Sequence, residues 1–457
     1  MPRSLLTYLL ALVAGAAAIG LLVTWGAALH PGGAVPVPRV EPASSLMAHL
    51  QSPLPLLLIQ IVVILAAARL AGAAIKQFGQ PAVIGEIVAG ILLGPSLLGW
   101  LAPDMTAFLF PPASLPALTL FGQVGVLLFM FVVGLEVDLE RQAAEARAAI
   151  AVSHAGLIIP FILGVLCAMV GFEELAPPGV PFTGFALFLG IAMSVTAFPV
   201  LARILKERKL TETPLGQRAI ACAAIGDVLA WSILAVVVAI VKAGDVTEAA
   251  WMIGLALVFA IFMVGVVRKP LERLVDRYYI PGGREGYPLI AGMLIFAFAS
   301  AVFTEIIGIH ALFGAFLAGT LVSGHHEFRK YLHDRVLPLS SLIMLPLFFA
   351  LVGLRTKVGL LDSALDWLVC AGLIAVASAG KLGGCMLAAR WTGAPWRDAF
   401  ALGALLNTRG LMELIVLNVG YELGILSARV FTMLVIMAIV TTVMTGPLLT
   451  LALKKKK

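Results

Sequence analysis

Between residues 4 and 451 the chain is a succession of stretches of about twenty mostly apolar residues. They lie near 4–27, 53–75, 80–100, 116–135, 148–171, 182–204, 218–242, 247–267, 286–304, 306–323, 337–354, 367–389, 398–420 and 429–451. A helix of about 20 apolar residues spans the hydrocarbon of a bilayer, and lipid obliges each backbone polar group to find its partner within the protein. No soluble core hides this much apolar surface: 61% of the 457 residues are hydrophobic and 12% are charged, against about 25% charged in a soluble domain. The pattern predicts an all-α polytopic membrane protein whose solvent is largely lipid. The first stretch, preceded by Arg3, reads as a retained extra helix, with a cleaved signal peptide as the other reading. The other thirteen form the predicted core.

The net charge of +6 is laid out for a membrane rather than for nucleic acid. One set of alternate loops, with Arg3 and the tail Lys454 to Lys457, carries 24 of the 31 Lys and Arg residues; the other side carries Arg39, Lys242, Arg355, Lys357 and Arg429. Excess Lys and Arg mark the cytoplasm, so both termini are expected inside, and the Ala-, Leu- and Gly-rich composition suggests a bacterial inner membrane. The remaining two cations, Lys381 and Arg409, fall within helices. The four cysteines all lie in apolar runs and read as small buried hydrophobes, with no disulfide framework and no CxxC metal site.

An internal repeat is visible. Gly85-Glu-Ile-Val-Ala-Gly90 is echoed by Gly314-Ala-Phe-Leu-Ala-Gly319, and Phe131-Val-Val-Gly134-Leu135 by Phe349-Ala-Leu-Val-Gly353-Leu354, at offsets of 229 and 219 residues. A shift of seven helices turns the second copy upside down, and inverted repeats are an architecture of secondary transporters, with the substrate site near the midplane. The expected organisation is an extra N-terminal segment (1–52), a first repeat (53–242), a linker helix and loop (243–285), a second repeat (286–451) and a basic tail (452–457).

Asp227 is the only charge in Ile220 to Val241. It sits about nine residues, or roughly 13 Å, from the nearer end of its stretch. A charged Asp at mid-membrane costs about 2.5–3.5 kcal/mol on insertion scales and survives mostly where it faces protein or a watery path. A hydrogen-bonded structural carboxyl is the bland reading. The functional one is chemical: a carboxylate is a hard oxygen ligand for a small cation and also a proton acceptor. Proton and cation then compete for one site. Lys381, in Ala379-Gly-Lys-Leu-Gly-Gly384, lies at nearly the same depth from the same side, with Asp227 as its expected partner and snorkelling to the interface as the alternative.

Two stretches look interrupted. In Ala192-Met-Ser194-Val-Thr196-Ala-Phe-Pro199, the proline frees carbonyls one turn earlier, around Val195 and Thr196. In Leu405-Leu-Asn407-Thr408-Arg409-Gly410-Leu-Met-Glu413, a polar cluster cuts an apolar run. Interrupted helices at corresponding places in two repeats point to a transporter's binding site, where freed carbonyls and opposed half-helix dipoles hold ions. Ser194 and Thr196 join Asp227 as candidate ion- and proton-binding residues. Arg409 and Glu413, four apart on one face, are either a structural ion pair or part of the transport machinery. Glu86 and Glu305 line an access path or brace neighbours, with bracing favoured. His310 reads as a structural histidine near the outer surface rather than a pH sensor, and His325, His326 and His333 as residues of a solvated loop.

Taken together, Gly85 to Pro95, Phe131 to Glu136, Thr196 to Arg203, Asp227, Gly308 to Phe316, Phe348 to Lys357 and Asn407 to Leu414 resemble the monovalent cation/proton antiporter-2 family, most closely its cation/proton exchanger branch. The resemblance covers nearly everything from 53 to 450. It implies thirteen core helices arranged as 6+1+6 inverted repeats with two crossed broken helices, a homodimer, and an elevator-like motion of a core domain carrying Asp227. By position Asp227 resembles the family's ion-binding aspartate, Thr196 the unwound-helix ligand and Lys381 the basic residue of the eleventh core helix. Relatives often have Asp, Asn or Gln directly before the aspartate; here it is Gly226. With one carboxylate, exchange of Na+ or K+ for H+ is expected to be electroneutral, one for one, with Lys381 pairing with Asp227 in the ion-free state. The sequence ends at Lys457, so the nucleotide-sensing domain of potassium-efflux relatives, and gating by glutathione or NAD, are not expected.

Neither an enzyme nor a cofactor is expected. Intramembrane aspartyl proteases need two carboxylates sharing a proton, and no second Asp lies at the depth of Asp227; HExxH is also absent. The remaining alternative is a proton-regulated potassium channel-like protein, although no filter loop is recognisable.

Overall fold

The computed structural model describes residues 17–18, 20–22, 24–25, 49–136, 146–211, 213–243, 246–279, 287–322 and 326–453. The expected helix over 4–27 and the tail 454–457 therefore fall largely or wholly outside the described residues. Two units are distinguished, Met1–Pro55 and Leu56–Lys457; in the first, residues 17–18, 20–22 and 24–25 are helical. The described residues of the second contain helices and no strand.

Apart from short helical turns at Leu98–Leu101 and Pro103–Leu109, the helices of the described residues are α1 (Pro53–Gln77), α2 (Ala82–Leu93), α3 (Leu115–Glu136), α4 (Ala146–Leu175), α5 (Phe182–Ser194), α6 (Phe198–Glu207), α7 (Pro214–Lys242), α8 (Val246–Phe262) and α9 (Arg268–Tyr278). They continue with α10 (Tyr287–Ile307), α11 (Ala311–Leu321), α12 (His326–Leu339), α13 (Leu345–Arg355), α14 (Ala364–Trp391), α15 (Trp396–Leu406), α16 (Leu411–Glu422) and α17 (Ala428–Leu453). Among the described residues, ten segments are long and apolar enough to cross a membrane, and Phe182–Ser194 and Ala311–Leu321 are shorter apolar helices. Side chains such as Leu58, Val62, Leu257, Ile261, Ile295 and Leu368 are exposed. On a soluble protein that much exposed apolar surface would drive association; on spanning helices it is the lipid contact.

Several boundaries differ from the sequence reading, each for a polar reason. The 247–267 stretch runs through a π-turn at Met263–Val267 into the charged α9. The 337–354 stretch gains the polar helix α12 before a second π-turn at Ser340–Met344. Charged ends of helices lying beyond the hydrocarbon carry no apolar signal, so apolar runs underestimate their length.

Two groups of helices result. In one, α4 packs on α5, α7 and α14, α15 packs on α14, α7 and α17, α6 packs on α7, and α16 packs on α17 and α5; it is called the bundle here. In the other, the scaffold, α3 packs on α11, α12 and α13, α2 on α13, and α10 on α11. Helix α8 touches both, against α7 and α10. Glycines from the repeated motifs make close backbone contacts in the scaffold. A Cβ on Gly90 would lie 2.2 Å from the Ala350 carbonyl oxygen, and one on Gly353 2.4 Å from that of Ile87. Likewise a Cβ on Gly134 would lie 2.2 Å from the Phe316 oxygen, and one on Gly319 2.1 Å from that of Phe131. Only residues without a side chain let these backbones approach so closely.

Candidate functional site

Helix α7 starts firmly. Thr213 caps it by accepting from the Gly216 amide at 3.1 Å, and Pro214 occupies the first helical position, where its missing N–H is not needed. Asp227 is the fourteenth residue of the 29 in this helix, about 20 Å along it, and is 2% exposed.

The bundle's central feature is a pair of helix breaks that meet. Between α5 and α6 the chain is non-helical over 195–197, and Pro199 is the second residue of α6, where a proline is tolerated. Between α15 and α16 it is non-helical over 407–410. The Ala197 amide donates to the Thr408 carbonyl at 3.0 Å, and the Thr196 hydroxyl donates to the Leu406 carbonyl at 3.2 Å. Each break thus supplies backbone partners to the other, which removes the main penalty for irregular chain at membrane depth.

Helix α5 ends in this low-dielectric setting, and its last carbonyls need donors. Two cations provide them. Arg409 donates from Nη1 to Ala192 O at 2.8 Å and from Nη2 to Met193 O at 2.6 Å, while Lys381 Nζ donates to Ser194 O. Positive charge at a helix C-terminus is also what the helix dipole favours. Arg409 reaches Glu413 as well, at 3.5 Å, and both side chains are fully buried. The backbone of Arg409 is held by Thr442, whose hydroxyl accepts from its amide at 3.0 Å and donates to its carbonyl at 2.6 Å. Asn407 is fully buried, and neither its Oδ1 nor its Nδ2 has a hydrogen-bond partner among the described residues.

Ser194, Thr196, Gly226, Lys381, Cys222 and Cys385 line a space of about 10 Å3 at the crossing, the scale at which one water fits. It shares Val152 and Cys222 with a larger cavity of about 270 Å3, whose wall includes Arg218, Ala389 and Asp398. That cavity lies at the end of the bundle where α7 begins and α14 ends. Asp227 lies next to Gly226 and within electrostatic reach of the Lys381 ammonium.

The sequence therefore named residues that the fold brings together: Asp227, Ser194, Thr196, Lys381, Arg409 and Glu413. The hydrogen bond of Lys381 goes to the Ser194 carbonyl. Two candidates lie elsewhere. Glu305 Oε1 is 3.6 Å from Lys242 Nζ, and its Oε2 accepts from the Ala311 amide at 2.8 Å. Glu86 is half-buried on α2 with a polar partner of its own. Sequence reasoning passed over Thr442 and Thr445, whose hydroxyls hold the second break. The signal was available, as Thr441, Thr442 and Thr445 form a polar stripe one turn long in an apolar run.

Residues 61–455 match the family described as sodium/hydrogen exchanger, transmembrane. The chain belongs to this exchanger family. Among its relatives is the Na(+)/H(+) antiporter NhaS4 of Synechocystis sp., 42% identical over 398 residues that cover 86% of this chain and 96% of that one. Cation/H(+) antiporter 17 of Arabidopsis thaliana is 38% identical over 89% of this chain and 50% of its own length. K(+)/H(+) antiporter 1 of Saccharomyces cerevisiae is 34% identical over 87% and 46%. The exchanger chain thus spans about half the length of these plant and yeast relatives. Its fold resembles that of the sodium proton antiporter MjNhaP1 from Methanocaldococcus jannaschii, with a TM-score of 0.63 over 88% of this chain and 99% of that one, at 15% identity.

Proposed function

We propose that this exchanger is a secondary active transporter that moves a monovalent cation, Na+ or K+, against H+, with Asp227 as the shared binding group. The observation that carries the reading is Asp227 itself: a carboxyl at mid-helix, 2% exposed, beside a water-sized space where two broken helices meet. A bare or partly hydrated cation needs several oxygen ligands, and the Asp227 carboxylate, the Ser194 and Thr196 hydroxyls and the carbonyls of the breaks are oxygens of that kind. Protonating Asp227 removes the only acidic ligand among them and releases the cation. One carboxylate that trades one proton for one cation moves no net charge, so exchange is electroneutral. In the ion-free state Lys381 turns to Asp227; when the site fills, its ammonium rests on the Ser194 carbonyl. Arg409 and Glu413 position the breaks rather than bind the ion, Glu86 braces the scaffold, and Glu305 reaches from α10 to Lys242 of the bundle.

Alternating access comes from sliding of the bundle against the scaffold, an elevator that carries the crossing from one side to the other. The 6+1+6 inverted repeat is supported by the reciprocal contacts of its glycine motifs. Gly90 of the first copy meets the Gly353 region of the second, and Gly134 meets Gly319, as a two-fold exchange of the copies requires. The end bearing Arg218, Arg329 and Lys330 is taken as cytoplasmic on the loop charges, with both termini on that side of a bacterial inner membrane. A homodimer follows the family resemblance. The relatives named as Na(+)/H(+) and K(+)/H(+) antiporters support Na+ or K+ as the cation.

The test is Asp227→Asn in everted vesicles, with proton flux driven by Na+, K+ and Li+ in turn. Loss of cation-driven proton movement with all three is expected. Antiport that survives intact removes Asp227 from the site, and cation conduction without proton movement favours a channel.

A further inference from the structure

Bundle and scaffold are held apart by a cavity on one side of the membrane, where Gln80 Nε2 still donates to Val443 O of α17 at 3.4 Å, and are tied together by a polar cluster on the other. At the end bearing Arg329, a cavity of about 510 Å3 separates α6 of the bundle, at Phe198 and Ala202, from α3 and α12 of the scaffold. At the opposite end, Arg355 closes α13 and reaches across to the last turns of α16. Its Nη1 donates to Asn418 Oδ1 and, at 3.1 Å, to Glu422 Oε1; its Nη2 donates to Thr119 Oγ1 of α3 at 3.4 Å. Gln123, also on α3, donates to both Glu422 oxygens at 3.4 and 3.3 Å, and Asn418 Nδ2 donates to Glu422 Oε1 at 3.0 Å. The Arg355 guanidinium lies over the Tyr421 ring, 5.7 Å from its centre. A second tie joins Lys242, the last residue of the Asp227 helix, to Glu305 at the end of α10. A third is the Lys357 amide, which follows α13 and donates to Thr432 Oγ1 of α17 at 3.1 Å.

We propose that Arg355, Glu422, Asn418 and Gln123 form an outer gate, closed while the crossing faces the cytoplasm and broken once in every transport cycle. This rests on the elevator reading above. A static brace would satisfy the same distances but would forbid the sliding, because α13 and α3 belong to the scaffold and α16 carries one half of the crossing. Both charged partners are half-buried, with side chains 24% and 29% exposed. The gate is therefore strong enough to bias the two states and weak enough to open: a partly exposed ion pair is worth about 1 kcal/mol, roughly a fivefold population shift. The aromatic face of Tyr421 and the amide of Asn418 hold the guanidinium in register, so closure is selective for one bundle position.

The experiment reads the cytoplasmic crevice directly. Ala202→Cys places a thiol on its wall, and a membrane-impermeant maleimide labels it in everted vesicles, with the chain lacking the new cysteine as the blank. In the Ala202→Cys parent, labelling should change when a cation gradient is imposed. If it does not change, the alternating-access reading fails. If the parent responds, Arg355→Ala in that background should slow labelling by releasing the bundle toward the outward state, by up to about fivefold where the inward state is the minor one. The charge-reversed pair Arg355→Glu with Glu422→Arg should restore the parent rate, which separates a gate from a folding defect. A responsive parent whose labelling is unchanged by Arg355→Ala overturns the gate, as does a reversed pair that labels no faster than Arg355→Ala alone.

Discussion

Replacing Arg409 with alanine tests whether the crossing is held by this one side chain. Arg409 is fully buried, satisfies the carbonyls of Ala192 and Met193, and pairs with an equally buried Glu413. Neither Glu413 oxygen has a hydrogen bond within the ordinary limit among the described residues, so the arginine is its principal compensation. Removing one partner of a buried pair costs about 3–5 kcal/mol, and each buried carbonyl left unmade costs about 1–3 kcal/mol. Glu413 escapes part of this by taking up a proton, and water reaches the widened site, so the sum is not additive; about 3–5 kcal/mol is expected in all. Against a total stability of about 5–15 kcal/mol that is a large loss. Thermal unfolding of the purified protein in detergent, followed by the fraction that remains monodisperse, reads it. The double variant Arg409→Met with Glu413→Leu removes the stranded carboxyl and should regain about 2 kcal/mol, though the two carbonyls stay open. An Arg409→Ala protein within about 0.5 kcal/mol of wild type, or a double variant no more stable than the single one, would refute the reasoning.

Two further outcomes follow from the same geometry. A Cβ added at Gly226 meets no atom within 4 Å, and the residue lines the water-sized space; Gly226→Asp should therefore fold and add a second protonatable group beside Asp227. Exchange should then become voltage-driven in proteoliposomes, and exchange that stays electroneutral would show that the added carboxyl does not join the cycle. Gly90→Val must push against the Ala350 backbone at 2.2 Å, whereas Gly372→Val points into open space on an exposed face of α14. The first should sharply reduce folded yield in the membrane and the second leave it near wild type; equal yields would mean that the α2–α13 contact tolerates a side chain.

The amino-acid sequence determined which residues lipid cannot be left to solvate. Asp227, Lys381, Arg409 and Glu413 stood out because an apolar run carries no charge without a reason, and the breaks were legible in Pro199 and in Asn407 to Gly410. Glycine spacing marked the close contacts of α2 with α13 and of α3 with α11, since close backbone approach leaves a mark in residue size. What the charges do to one another was not legible. Ala192 and Arg409 are 217 residues apart along the chain, and Arg355 and Glu422 belong to helices that only the packing places side by side. The expected Lys381–Asp227 partnership rested on equal depth; the tertiary structure keeps the two within electrostatic reach and gives the Lys381 ammonium a hydrogen bond to the Ser194 carbonyl.

The physical reason lies in the solvent. In water, an amphipathic stripe tells which face of a helix meets its neighbours. Lipid tails are as apolar as a leucine-rich interface, so the lipid-facing and protein-facing sides of these helices share one composition. Apolar runs therefore determined that the helices span and about where, while their partners, their crossing and the gate between bundle and scaffold were decided by packing alone.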